Sequence, residues 1–270
     1  MRVGFYQFSP GFGDVTGNLA RAREALSRLE ADLVVLPELF NTGYQFLAAA
    51  EARELAEPIP GGPTTEALSE VASHRRMWLV AGLVERDGDA LYNSAILVGP
   101  EGYLGRYRKL HLFYEEKLWF QPGTDEPPVF DVGTARLGLM ICFDWIFPET
   151  ARMLALKGAD ILCHPANLIF KLCHEAMVTR CLENRVFAVT CNRVGREARK
   201  PQEPFQYTGG SQVVDPRGRL LVRAGDSTEE GQVVEIEPER ARDKDFNLYN
   251  NLVRDRRLDL YGVLTRPVVF

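Results

Sequence analysis

The feature that most constrains the fold is a short apolar run, DLVVLP at residues 32–37, which follows directly on a segment with helical periodicity. In that segment, residues 17–30, apolar side chains recur at helical spacing: Leu19, Ala22, Leu26 and Leu29. Another strand-like run, residues 3–8, precedes it. An apolar run without polar alternation is typical of a strand that is covered on both faces. Strand, helix and buried strand in this order predict an α/β architecture.

The same alternation continues along the chain. Further strands are predicted at residues 78–84, 94–98, 103–109, 136–142, 160–164, 186–191, 212–215, 220–223 and 232–236. Further helices are predicted at residues 63–74, 148–158 and 171–185. Because no repeat or linker interrupts the pattern, we predict one domain at residues 1–250. A tail without clear periodicity remains at residues 251–270, and we consider packing on a partner subunit for it.

Charge and cysteine usage limit the classes of partner. Lys and Arg number 32 and Asp and Glu 37, a net charge of −5, which gives no electrostatic footprint for nucleic acid or an anionic membrane surface. The basic stretch at residues 196–200 is interrupted by Glu197 and is interpreted as solvated surface. No window approaches the roughly 18 apolar residues of a membrane helix. The five cysteines are odd in number and lie mostly in apolar runs, which favours reduced thiols and a cytoplasmic location.

Three reactive residues follow predicted strands: Glu38 after LVVLP, Lys109 after YLGRYR and Cys142 after LGLMI. Sites in α/β sheets are assembled at strand ends, where loops converge over a rigid scaffold. Each residue also has a structural explanation. Glu38 could begin a surface loop, Lys109 could be solvated, and Cys142 could be an inert core thiol.

The surroundings of Cys142 favour catalysis. A helix is predicted to begin near Pro148, and the positive end of a helix favours a thiolate. Free backbone N–H groups at the same turn can stabilise an oxyanion. Acyl transfer then requires a carboxylate to carry a proton and a cation to balance the developing charge. Glu38 and Lys109 are the candidates for these two roles.

Six segments together resemble the nitrilase superfamily of carbon–nitrogen hydrolases: PELFNTGY (37–44), YRKLHLFYEE (107–116), ICFDWIFPE (141–149), HPANL (164–168), ENRVFAVTCNRVG (183–195) and SQVVDPRG (211–218). The resemblance runs in the same order from about residue 3 to 240. It implies an α/β fold of the four-layer α-β-β-α sandwich type. It also implies a Glu-Lys-Cys triad made of Glu38, Lys109 and Cys142, with no cofactor and no metal.

The resemblance implies three further site residues. Glu116 matches a second glutamate that positions substrate, with Glu115 as the alternative. The backbone N–H of Phe143 matches the oxyanion donor that acts beside the lysine. Asn167 matches a residue that lines the substrate pocket, although Asn also serves as a turn residue.

The function implied is hydrolysis of non-peptide carbon–nitrogen bonds through a cysteine thioester. Small aliphatic amides or N-carbamoyl compounds that release ammonia are the predicted substrates, because Phe143-Asp144 after the cysteine resembles the amidase branches. The alternative is a nitrilase that acts on small aliphatic nitriles and dinitriles, and a more distant one is an inactive binding protein with the same fold. Family habit predicts a homodimer or higher homo-oligomer.

Other chemistries remain open on the residues alone. Gly11-Phe12-Gly13 between a strand and a helix imitates a dinucleotide-binding turn, with Glu38 as the acid after the next strand. Cys142 could pair with His111 or His164 as in papain-like proteases. The pairs Cys163-His164 and Cys173-His174 could be imagined as zinc ligands, but their spacing fits no common zinc pattern.

Overall fold

The computed structural model describes residues 1–200 and 203–267, which contain two six-stranded sheets and a two-stranded ribbon. The strands are β1 Arg2–Gln7, β2 Leu33–Val35, β3 Trp78–Asp87, β4 Ala90–Gly99, β5 Gly102–Arg108, β6 Val129–Asp131, β7 Arg136–Leu139, β8 Ile161–Pro165, β9 Phe187–Cys191, β10 Arg196–Glu197, β11 Phe205–Gln206, β12 Gln212–Val214, β13 Leu220–Arg223 and β14 Glu230–Glu235. The α-helices are α1 Val15–Arg28, α2 Ala49–Leu55, α3 Pro63–Arg75, α4 Glu116–Trp119, α5 Pro148–Leu156 and α6 Leu172–Asn184. Three 3₁₀ helices span Cys142–Ile146, Pro238–Arg242 and Tyr261–Thr265.

Both large sheets have a parallel centre and antiparallel edges. The first has the order β14-β1-β2-β3-β4-β5, in which β1, β2 and β3 are parallel. The second has the order β13-β12-β9-β8-β7-β6, in which β7, β8 and β9 are parallel. Since parallel strands end at the same edge of a sheet, each sheet presents one edge where several loops meet.

The alternation of side chains along β2 explains its continuous apolar sequence. Leu33 and Val35 pack into a core shared with the second sheet, whereas Val34 and Leu36 pack under α1 and α3. Helices α5 and α6 cover the outer face of the second sheet. The layers are therefore helix, sheet, sheet and helix, and the predicted four-layer α-β-β-α sandwich is confirmed.

Local sequence signals fix the helices on the first sheet. The side chain of Asp14 caps α1 by accepting a hydrogen bond of 3.0 Å from the Gly17 N–H. Ala22 and Leu26 lie on its buried face. Pro63 occupies the first turn of α3, where its missing N–H costs nothing. These signals act within a few residues of each helix start, so they do not depend on distant contacts.

Several short elements were not predicted from the sequence, among them α2, α4, β6 and the ribbon strands β10 and β11. Helix α2 buries only Ala52 and so has no apolar stripe, while α4 is a single turn. Strand β6 has three residues at the edge of its sheet. Elements this short lack a periodic pattern and are held by their neighbours.

The C-terminal segment from residue 246 to the last described residue, 267, carries apolar side chains that are exposed in this chain: Phe246, Leu248, Tyr249, Leu258, Leu260, Tyr261, Val263 and Leu264. The end of the predicted tail, residues 268–270, lies outside the described residues. Within the described ranges, no helix combines the length and the apolar character needed to cross a bilayer.

Candidate active site

The ends of strands from both sheets converge on one buried cluster. Glu38 lies three residues after β2, Lys109 directly follows β5, and Cys142 lies three residues after β7. Strands β2 and β3 of the first sheet contact β8 of the second, so the two sheets pack face to face. All three side chains are buried, which corrects the alternatives that made Glu38 or Lys109 a solvated surface residue.

Lys109 lies between two carboxylates. Its Nζ is 2.7 Å from Oε1 of Glu38 and 2.7 Å from Oε1 of Glu116. The Asn93 side-chain N–H donates a second hydrogen bond, also 2.7 Å, to the same Glu38 oxygen. The other carboxylate oxygen of Glu38, Oε2, is buried and has no hydrogen-bond partner among the described residues.

Burial and charge oppose each other within this cluster. Burial disfavours the Lys109 ammonium, but the Glu116 and Glu38 carboxylates outweigh it, so the pKa of Lys109 is raised. Burial raises the pKa of Glu116, and the Lys109 charge only partly opposes that effect. Lys109 is therefore a permanent cation at the centre of the site.

Cys142 lies at a strained turn. Its φ of +40° is in the left-handed region, which is unfavourable for a residue with a Cβ, and it begins the 3₁₀ helix Cys142–Ile146. Burial and the Glu38 charge raise the pKa of the thiol well above its usual value, although the Lys109 charge opposes them. Burial and the neighbouring carboxylate therefore oppose the thiolate that the following helix was expected to favour. Cys142 rests as a thiol.

The side chain of Asp144 stabilises the turn that contains Cys142. Its buried carboxylate accepts hydrogen bonds from the Ile141 N–H at 2.9 Å and the Tyr107 hydroxyl at 2.8 Å. The Nδ1 of His111 lies 2.7 Å from the other oxygen. These contacts tie the loop after β5 to the turn after β7, so they fix Lys109 and Cys142 relative to each other.

Neither histidine of the papain-like alternative makes a hydrogen bond to the Cys142 sulfur. His111 contacts Asp144 and stacks on Phe147 with ring centroids 3.7 Å apart. The Nε2 of His164 donates to the backbone oxygen of Cys142 at 2.9 Å, and burial lowers the pKa of His164 to about 4. The Cys-His alternative is therefore not supported, because neither ring is hydrogen-bonded to the sulfur that it would have to deprotonate.

Asn167 and Phe143 both lie beside Cys142. The Asn167 side-chain N–H donates to the backbone oxygen of Glu38 at 2.9 Å, and its backbone N–H lies against the Cys142 sulfur. Asn167, Phe143 and Cys142 all line one cavity of about 270 Å³. The first N–H groups of a helix have no partner within it, so the Phe143 N–H lies at a position suited to an oxyanion.

The two glutamates at 115 and 116 have different environments. Glu116 is in the buried cluster, whereas the side chain of Glu115 pairs with Lys200 at the surface. Of these two, Glu116 is therefore the one that the fold brings to Lys109.

The sequence did not single out Tyr44 and Glu197. The Tyr44 hydroxyl donates a 2.5 Å hydrogen bond to Oε1 of Glu116. Glu197 is buried, accepts from the Tyr44 and Gln45 N–H groups and pairs with Arg193 at 2.5 Å, so the interpretation of residues 196–200 as solvated surface was wrong at this position. Tyr44 lies within the PELFNTGY segment, but no local pattern there indicates a contact 72 residues away.

The dinucleotide-binding alternative is also wrong. The Gly11 N–H and C=O are both bonded to the Asn18 side chain, at 2.8 and 2.7 Å, so this turn is closed on itself. Glu38, which that alternative requires at a ribose, is instead buried against Lys109. Within the described ranges, no group of three His, Cys, Asp or Glu residues is arranged to hold a metal ion.

Comparisons with known proteins give the same family throughout. The profile of the carbon-nitrogen hydrolase family matches residues 2–245. A nitrilase of Pyrococcus abyssi is 45% identical over 264 residues, 97% of this chain and 99% of that one. The crystal structure of a carbon-nitrogen hydrolase from Helicobacter pylori G27 superposes with a TM-score of 0.89 at 26% identity, covering 100% of this chain and 99% of that one.

An amidase of Nesterenkonia AN1 from the nitrilase superfamily is similar in structure, with a TM-score of 0.80 at 26% identity over 98% of this chain and 97% of that one. In another structure of that amidase, the acetamide moiety of fluoroacetamide is covalently added at the active-site cysteine. The buried Glu-Lys-Cys cluster, the four-layer fold and the match over residues 2–245 lead to one conclusion: the chain belongs to the carbon-nitrogen hydrolase family of the nitrilase superfamily and is an enzyme that hydrolyses carbon–nitrogen bonds.

Proposed function

We propose that Cys142 is the nucleophile and Glu38 the proton carrier of an amide hydrolase. The observation that carries this proposal is the unequal use of the two Glu38 oxygens. Oε1 is bonded to Lys109 and Asn93, whereas Oε2 has no partner among residues 1–200 and 203–267. Because the thiol rests protonated, attack requires a base, and a buried carboxylate oxygen without a partner is suited to accept the proton.

Lys109 and the Phe143 N–H stabilise the oxyanion. As the Cys142 sulfur bonds to the carbonyl carbon, the π electrons move to the oxygen and create a negative charge. A fixed hydrogen-bond donor at such a position lowers the activation free energy by about 3–4 kcal/mol. Glu116 holds Lys109 from its other side, so the ammonium keeps its orientation when Glu38 becomes protonated.

The remaining steps return the enzyme to its starting state. Glu38 delivers the proton to the leaving nitrogen, the carbon–nitrogen bond breaks, and ammonia departs from a Cys142 thioester. Glu38 then takes a proton from water, the hydroxide adds to the thioester carbon, and the carbon–sulfur bond breaks. The acid leaves, and the thiol recovers its proton from Glu38.

The substrates proposed are small aliphatic amides or N-carbamoyl compounds. The cysteine adduct with an acetamide moiety in the Nesterenkonia amidase supports an amide at this position. Small aliphatic nitriles are the second candidate, because the Pyrococcus abyssi relative at 45% identity is described as a nitrilase. Addition of Cys142 to a nitrile gives a thioimidate, which water converts to the same thioester and ammonia.

Ammonia release from a panel of amides, N-carbamoyl amines and nitriles tests the proposed function. We expect turnover with at least one class, an acyl-enzyme mass on Cys142 after rapid quenching, and neither with Cys142→Ala. Unfolding of Cys142→Ala at the wild-type temperature is the control for its fold. Full activity of that variant would refute the proposal.

We further propose that the chain consists of a catalytic domain at residues 1–250 and a tail at 251–270, and that it forms a homodimer or higher homo-oligomer. Exposed apolar side chains between Phe246 and Leu264 support a second subunit as the partner of this segment. The five thiols are free and buried, which supports the proposed cytoplasmic location. Light scattering of the full chain and of a chain ending at residue 250 tests the role of the tail.

A further inference from the structure

The cavity at Cys142 is almost entirely apolar. Its walls are formed mainly by aromatic and aliphatic side chains, among them Phe113, Phe143, Trp145, Leu168, Ile169 and Leu172. Apart from the Cys142 thiol itself, none of the described side chains that line it can ionise. The other polar side chains are Trp145, with a neutral indole N–H, and Asn167. The Asn167 N–H donates to the backbone oxygen of Glu38, and its side-chain oxygen, an acceptor that a carboxylate cannot use, has no partner among the described residues.

Two cationic side chains, Lys171 and Arg223, lie near the cavity but line a neighbouring one. Ile169, Phe170 and Leu172 line both this cavity and a neighbouring one of about 440 Å³ that contains Lys171 and Arg223. Lys171 and Arg223 both form ion pairs with acidic side chains on that neighbouring side.

Lys171 forms an ion pair with Asp226, and Arg223 pairs with Glu175 at 3.2 Å. The two ring nitrogens of His174 each lie 3.0 Å from a backbone carbonyl oxygen. Lys171, Arg223 and His174 are therefore already engaged in contacts of the neighbouring cavity, and Lys109, which is reserved for the oxyanion, does not line the cavity wall that would contact the acyl group.

The mouth of the cavity continues the apolar surface. Ile146, Phe170 and Leu172 are exposed by 43%, 56% and 71%. An alkyl chain or an aromatic ring that is too long for the cavity could therefore continue along this rim without meeting a charge. A carboxylate would instead lose its hydration and find no cationic side chain among the described residues of the cavity wall, and burying a charge without an opposite charge is strongly unfavourable.

We infer that the enzyme acts on amides or nitriles whose acyl group is apolar and uncharged, and that it discriminates against those that carry a carboxylate. This inference rests on the proposed function and narrows it. Within the N-carbamoyl class it selects carbamoyl derivatives of neutral apolar amines over N-carbamoyl amino acids.

A matched substrate pair provides the test. In 4-methylpentanamide an isopropyl group occupies the place of the carboxylate of succinamate, so the two amides have nearly the same shape and differ in charge. The corresponding nitriles are 4-methylpentanenitrile and 3-cyanopropanoate. From ammonia release, we expect kcat/KM to favour the neutral member of the reactive pair by about 100-fold or more, because the described cavity wall offers the carboxylate no opposite charge.

Equal or higher kcat/KM with the charged member would overturn the inference while leaving the proposed function intact. Absence of turnover with all four compounds and with the wider panel would instead overturn the proposed function itself. The two failures are therefore distinguishable.

A charge placed in the wall gives an independent measurement. Leu172 is exposed at the mouth and begins α6, so Leu172→Arg can fold while directing a guanidinium towards a bound carboxylate. We expect the ratio of kcat/KM for succinamate over 4-methylpentanamide to rise by about 10-fold or more, the scale of one charge-assisted hydrogen bond.

Leu104→Arg is the matched control. Leu104 is also an exposed leucine, at 43%, but it lies on β5 and does not line the cavity. We expect the same ratio in this variant as in the wild type. An unchanged ratio in a folded Leu172→Arg enzyme, or an equal change in the control, would contradict the position assigned to the acyl group.

Discussion

Lys109→Met removes the ammonium that lies 2.7 Å from both the Glu38 and the Glu116 carboxylates, and leaves an apolar side chain in the same buried space. Breaking a buried ion pair by removing one partner costs about 3–5 kcal/mol, because an uncompensated charge remains buried. Two carboxylates lose their cation here. We therefore expect the free energy of unfolding to fall by at least about 3 kcal/mol at pH 7.

The loss should depend on pH. Burial already raises the pKa of Glu116 against the opposing charge of Lys109, so removing Lys109 raises it further. A carboxyl group whose pKa is higher in the folded than in the unfolded chain destabilises the fold as pH rises through the interval between the two values. Its penalty disappears as pH falls towards the ordinary value of about 4.3. The deficit relative to wild type should therefore shrink between pH 7 and pH 5.

Urea unfolding followed by circular dichroism at several pH values measures this deficit. Lys157→Met is the matched control, because Lys157 pairs with Glu126 at 3.3 Å in a largely solvated position, where a pair contributes about 1 kcal/mol or less. A Lys109→Met variant as stable as that control at pH 7, or one whose deficit is constant with pH, would refute the buried charge cluster.

Three further results are expected. Tyr44→Phe removes the hydroxyl that donates to Glu116, a hydrogen bond to a charged group worth about 1.5–3 kcal/mol, so kcat/KM should fall about 10- to 100-fold. The control is Tyr114→Phe at the surface, in which no such fall is expected. An unchanged kcat/KM in Tyr44→Phe would contradict a positioning role. Iodoacetamide should modify Cys142 first, because it borders the cavity whereas the other four thiols are fully buried, and a first adduct on any other cysteine in peptide mass spectra would count against this site. Burial lowers the pKa of His164 to about 4, so this side chain should stay neutral in the folded enzyme from pH 8 down to about 5. The stability linked to it is then lost as pH falls from the ordinary histidine pKa of about 6.5 towards 4. An NMR titration of its ring with a midpoint near 6.5 would contradict its burial.

Much of the fold could be predicted from the sequence because its signals are local. The unbroken apolar run of β2 requires cover on both faces, and the Asp14 cap and Pro63 mark helix starts that do not depend on distant contacts. Helix α4 was missed because a single turn is too short to show a period.

In the candidate site, too, some features could be predicted from local sequence and others could not. Glu38, Lys109 and Cys142 could be identified because each is a reactive residue at the end of an apolar strand and each lies within a family motif. The sequence favoured a thiolate at Cys142 that burial opposes, because the helix start is visible in the sequence but the depth of burial is not. Glu197, interpreted as surface, is buried because Arg193 and two backbone N–H groups surround it.

The sequence by itself determined the order of the longer strands and helices, the four-layer family fold and the types of reactive side chain at three strand ends. The tertiary structure alone decided that Lys109 bonds one oxygen of Glu38 and leaves the other without a partner in the described part of the chain. It also decided that Tyr44 reaches Glu116 and that apolar side chains surround the thiol. The physical reason is that periodicity and capping act over a few residues, whereas burial, protonation and pocket shape arise from contacts between segments far apart in the chain.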